Sequence, residues 1–131
     1  MASRELSIYD LLTGGTPGEC LPVISRPAFL EFPPDNDVLA FEFMSLLRVV
    51  RAYGPAMLSD AVARRYHMEG ADRLTSRAGN LRRAGQLVRG FRRMLSEFGP
   101  MMPFRKRMGV RLRILCYGLI AACTPLRRQP K

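Results

Sequence analysis

The sequence predicts a mainly α protein: a small bundle of three to four helices, preceded by an extended Pro-rich N-terminal segment and followed by a basic C-terminal tail. Three observations predict it. Between residues 37 and 98 the apolar residues recur at steps of three and four, the period of helices with one buried face. Gly54–Pro55, Gly70 and Gly99–Pro100 fall where such helices would stop. The stretch CLPVISRPAFLEFPP, residues 20–34, holds four prolines, which remove backbone donors and oppose a helix. At 131 residues the chain fits one domain. It divides into an extended segment over 1–36, a helical domain over 37–123 and a disordered tail over 124–131.

Each element has its own signals. Residues 1–12 suit a short helix, with Ser3 or Ser7 as cap and Leu6, Leu11 and Leu12 apolar. TGGTPGE, residues 13–19, reads as a loop. Helix A is expected over 37–53. Asp35, Asn36 or Asp37 would cap it, and Leu39, Phe43, Leu46, Leu47 and Val50 would face inward. Pro55 suits the first turn of helix B, 55–69, which Gly70 ends. Helix C is expected over 71–98, with a seam of Leu74, Ala78, Leu81, Gly85, Val88, Phe91, Leu95 and Phe98. Gly79, Gly85 and Gly90 each weaken that helix by about 1 kcal/mol against Ala. Such a cost makes sense where something lies close against the backbone, and equally where the helix is bent or frayed. Residues 110–116 alternate like a strand, yet the same letters read as a helix through Ala122, and context favours the helix.

Charge is the strongest functional signal. The formal net charge is +10. The basic residues are 19 Arg and only Lys106 and Lys131. Arginine presents a planar fork that matches phosphate and stacks on bases. GC-rich or overlapping coding inflates arginine as well, with no binding role. Residues 1–60 hold four arginines against eight acids, net −4, while residues 61–131 hold 17 basic residues against three acids, net +14. Such asymmetry points to a polyanion or an anionic membrane surface as partner of the C-terminal half.

Two basic clusters are candidate nucleic-acid-binding sites. NLRRAGQLVRGFRRML, residues 80–95, carries Arg82, Arg83, Arg89, Arg92 and Arg93 with no acid. On a helix Arg82, Arg89 and Arg93 fall together opposite the seam, with Arg83 and Gln86 beside them. FRKRMGVRLR, residues 104–113, carries Arg105, Lys106, Arg107, Arg111 and Arg113. It fits an arginine-rich RNA-binding segment or a nuclear import signal. Beside the apolar run Ile114–Cys123 it also fits a peripheral membrane contact. That run is ten residues, about half of the roughly 20 a transmembrane helix needs. The plain alternative for both clusters is a solvated helix face. Ordinary solvated faces mix signs, and these barely do.

Other chemistry has little support. Cys116 and Cys123 share a helix face, but a closed zinc site needs four ligands, and Cys20 and His67 are scattered. In an apolar run, a buried inert thiol is the default. One histidine, no nucleophile elbow and no phosphate-cradling loop argue against catalysis. No metal, cofactor or enzymatic activity is expected. An odd count of three cysteines and an opening MASRELSIYD without an apolar stretch point to a reduced intracellular protein, in nucleus, cytoplasm or both.

The sequence therefore suggests a non-enzymatic RNA- or polyanion-binding accessory protein. Its size, arginine bias and methionines suit a viral accessory protein that counters host defence. The competing readings are an adaptor that binds proteins through its Phe-rich N-terminal half, and a peripheral membrane protein using 104–123. Oligomerisation is compatible with each. Glu31, Asp35, Asp37 and Glu42 are expected either to cap helices or to fold back on the basic half and mask part of it.

Overall fold

A computed structural model describes residues 3–14, 22–38, 41–59, 81 and 83–123. Of these, 69% are helical, so the mainly α expectation holds, with a small two-stranded sheet added.

The N-terminus departs first. Ser3–Leu6 is a strand, β1. It pairs antiparallel with β2, Ala56–Ser59, in the register Ser3 to Ser59 and Leu6 to Ala56. Helix α1 follows at Ile8–Thr13, so the short expected helix begins later. Ser7 caps it: its Oγ accepts from the Asp10 amide at 3.2 Å, and the Asp10 carboxylate accepts from the Ser7 amide at 2.9 Å. That hydrogen-bonding holds the Asp10 carboxyl below its ordinary value. Gly14 closes the helix in the left-handed conformation, φ 81°.

The second departure is α2, Arg26–Glu31, inside the stretch expected to be extended. Pro27 stands in its first turn, where a missing donor costs nothing. Prolines 22, 33 and 34 lie outside the helix and bound it. Helix α3, Phe43–Tyr53, is the C-terminal two thirds of expected helix A. It buries Leu47 and Val50 as expected, together with Met44; Phe43, also expected inward, is exposed, and Leu39 lies outside the described residues. Phe41, in the turn ahead of α3, fills the core instead. Asp35 and Asp37 do not cap this helix, because they bind arginines. Ser45 is buried, its hydroxyl donating to the Phe32 carbonyl and tying α3 to the end of α2.

Helix B is corrected at its start. Gly54 takes φ 101° and ψ −171°, a conformation side chains oppose, and it sends the chain out of α3 in an extended direction. Residues 56–59 then pair with β1, and this tertiary partner overrides local helix signals. The rest of helix B and the first part of helix C lie outside the described residues.

Helix α4 runs Ala84–Phe98, with a turn at Arg83 just before it. A short 3-10 turn, Gly99–Met101, leads to α5, Phe104–Cys123. The alternating 110–116 segment is therefore helical. Helices α4 and α5 pack against each other as a hairpin. The core lies between them and α3: Val38, Phe41, Met44, Leu47, Leu87, Met94, Phe98, Met102 and Val110. Ile8, Leu11 and Leu12 of α1 close one side.

The seam of α4 agrees with expectation at Val88 and Phe98 and departs from it elsewhere. Ala84, Leu87, Val88, Met94 and Phe98 are buried, whereas Leu81 is 48% exposed. Phe91 and Leu95 pack on the core's margin. Phe41 meets Phe91 edge-on at 5.0 Å between centroids, and Phe91 stacks on Tyr117 at 6.2 Å. The turn at Arg83 separates Leu81 from the α4 seam.

Candidate polyanion-binding surface

The acids of the N-terminal half set the charge geometry. Arg48, on α3, is clamped from two sides. Its Nε and Nη2 donate to Glu97 at 2.8 and 2.6 Å, and its Nη1 and Nη2 donate to Asp35 at 3.2 and 2.9 Å. Arg93, on α4, makes a two-pronged pair with Asp37 at 2.9 and 2.8 Å, and reaches Asp35 at 3.1 Å. Bidentate pairs of this kind fix geometry as well as charge. Burial opposes ionisation of Asp35, but the bonds from Arg48 and Arg93 overcome it and hold its carboxyl below the ordinary value. The Arg93 hydrogen bond does the same for Asp37. The Glu97 bond raises Arg48 still further above its ordinary value.

This network welds the 35–38 segment and α3 onto α4, and it sorts the arginines into two groups. Arg48 and Arg93 belong to the fold. Of the four acids expected to cap helices or fold back, Asp35 and Asp37 fold back on the basic half and pair with Arg93, while Glu31 accepts from the Tyr53 hydroxyl in its own half. The remaining sequence-derived candidates behave differently. Arg89 and Arg92 are exposed on the outward side of α4. Arg83 is half-buried at its start, and Arg82 lies outside the described residues. On α5, Arg105, Lys106, Arg111 and Arg113 are exposed and Arg107 is half-buried. No acid among the described residues lies within ion-pairing distance of Arg83, Arg89, Arg92 or the five α5 cations, although Arg89 still feels the Asp37 charge.

Two α5 arginines are partly ordered by rings. The Arg113 guanidinium lies 5.8 Å from the Phe91 centroid, and that of Arg107 lies 5.9 Å from Phe104. Arg51 of α3 sits over Phe98 at 5.1 Å. Such stacking uses the ring face and leaves the guanidinium edge to meet an anion.

Sequence reasoning missed a second feature of α5. Its inward row is Val110, Ile114 and Tyr117. On the other side, Phe104, Met108, Leu112, Leu115 and Leu119 are all exposed. Their steps of four, four, three and four were the available signal: one helix carrying two apolar rows. Cys116 and Cys123 are exposed too, not buried as the apolar run suggested.

Among the described residues no three His, Cys, Asp or Glu gather as a metal site. No described helix is long and apolar enough to cross a membrane. Compared with known proteins, the chain matches no family model, no curated protein and no solved structure.

Proposed function

We propose that this chain is a non-enzymatic binding protein for RNA or a similar polyanion, and that the α4–α5 hairpin is its contact surface. One observation carries the reading: among the described residues Asp35, Asp37 and Glu97 are bonded to Arg48 and Arg93, while α5 is a 20-residue helix with five cations and no acid. The fold thus removes the charges that would neutralise the surface. Contacts from arginine forks to phosphate oxygens position a nucleic acid without reading its sequence, so this mode is sequence-tolerant. Action in the nucleus or cytoplasm against a host's RNA-directed defence, as a viral accessory protein, fits such a binder.

The test begins with what co-purifies before and after nuclease treatment. Fluorescence anisotropy with a short labelled single-stranded RNA then compares the wild type with a variant carrying Arg89, Arg92, Arg111 and Arg113 all changed to Gln. Weaker binding by the variant across unrelated sequences supports the proposal. Equal binding with helicity intact contradicts it.

The protein-adaptor reading has one observation of its own: Phe29 and Leu30 are exposed side by side on α2. Phe41 of the same aromatic half is buried in the core, while Phe43 is exposed on α3.

A further inference from the structure

We infer that the outer row of α5 seats the protein side-on in an anionic lipid bilayer, with Phe104, Met108, Leu112, Leu115 and Leu119 entering the acyl boundary. Leu112, Leu115 and Leu119 are 61%, 64% and 69% exposed, and Phe104 is 67% exposed. At about 100° per residue the five fall within one narrow sector, on the side roughly opposite Val110, Ile114 and Tyr117. A row of large side chains this exposed marks an interaction site more often than chance scatter does.

Charge complementarity selects the occupant. Arg105 and Arg111 border the row on its two sides, and Lys106, Arg107 and Arg113 stand on the same helix. Residues 98–131 contain no acid. A second copy would bring cation against cation in a chain already at +10. RNA would meet the arginines but leave the apolar row in water. An anionic bilayer satisfies both sets of residues at once. Five basic residues beside an exposed apolar row match the clusters of four to eight that mark acidic-lipid recognition.

The distribution along the helix agrees. All five cations precede Ile114, and Ile114–Cys123 is uncharged. The first half would meet headgroups, and the second would lie deeper. The five cations on α5 oppose crossing, and no described helix qualifies to span. Lying in the interface with the apolar face buried is therefore the geometry that fits. The inward row stays on the core throughout, so the protein need not unfold to dock.

Flotation of the full chain with vesicles of phosphatidylcholine, with and without phosphatidylserine, tests this. The wild type should float with the phosphatidylserine vesicles. The Leu115→Ser, Leu119→Ser double variant should partition at least about tenfold less, because two leucines no longer enter the bilayer. Both positions are exposed, and circular dichroism checks that the fold is kept. Equal flotation of the variant would mean that charge alone binds and would overturn the proposal. So would absence of flotation, or a stable dimer by light scattering that the same variant dissociates. RNA affinity of the double variant should not change, so failure here is distinguishable from failure of the RNA reading.

Discussion

The ring of Phe41 lies against the backbone of Gly90, so close that a methyl group on this glycine would sit 2.3 Å from two ring carbons. This contact joins the turn before α3 to the middle of α4 and explains a glycine inside a helix. A Gly90→Ala variant should lose about 1–3 kcal/mol, since the added carbon forces Phe41 out of its packed position. Gly109 on α5 has open space at the same point, so Gly109→Ala should gain up to about 1 kcal/mol. Urea unfolding followed by circular dichroism compares the two. Similar effects of the same sign would show that Phe41 is not packed as described.

Arg48 should be the most sensitive surface-proximal charge. Arg48→Met leaves Asp35 and Glu97 without their shared partner in a half-buried site, and should cost about 2–4 kcal/mol. Arg89→Gln, exposed and without an ion-pair partner among the described residues, should change stability by less than about 0.5 kcal/mol. Thermal melts of the two variants test the division between arginines of the fold and arginines of the surface.

The same network sets a pH dependence. Asp35 and Asp37 have carboxyls held below their ordinary value of 3.8. A depressed folded value adds stability that is full above the unfolded value and is lost as pH falls through the folded one. Stability should therefore hold near neutrality and decline below about pH 4. The Asp35→Asn, Asp37→Asn variant should be less stable at neutral pH and show a flatter acid limb. Denaturant midpoints across the acid range measure it. A parallel decline in both proteins would remove these two carboxylates from the account.

Arg105, Lys106 and Arg107 are expected to drive nuclear accumulation of a tagged protein, because import receptors recognise such a cluster. Their change to Ala should move the protein toward the cytoplasm. A membrane-rim signal from the seated fraction should survive the change, because the apolar row of α5 holds it; an unchanged nuclear signal would contradict the import role of the three residues.

Much of this was legible in the sequence. The helical class, a serine cap on the first helix and the stop at Gly54 follow from local chemistry, whereas the helix glycines were open to a close approach or a bend, which Phe41 decides at Gly90. The phases of α3 and α4 were legible only in part: Leu47, Val50, Val88 and Phe98 are buried as expected, but a helix with apolar residues at several neighbouring positions accepts more than one buried face. Phe41 decided that choice from outside the helix. The β1–β2 pairing joins residues far apart in sequence, and neither strand is patterned strongly enough to announce it. Asp35 and Asp37 resembled caps, since a carboxylate ahead of a helix suits either a backbone amide or an arginine. Only the fold brings Arg48 and Arg93 within reach. The basic clusters were visible by composition, but the pairing of Arg93 with Asp35 and Asp37 needed the fold.

The salt dependence of RNA affinity tests the central claim most directly. Plotted as the logarithm of the binding constant against the logarithm of salt concentration, the wild type should fall along a line of slope about −0.7 per phosphate contacted. The variant with Arg89, Arg92, Arg111 and Arg113 changed to Gln should give a shallower line and weaker binding at low salt, with its fold unchanged. A wild-type affinity that is indifferent to salt, or a variant line that overlays it, would contradict binding through the arginines of α4 and α5.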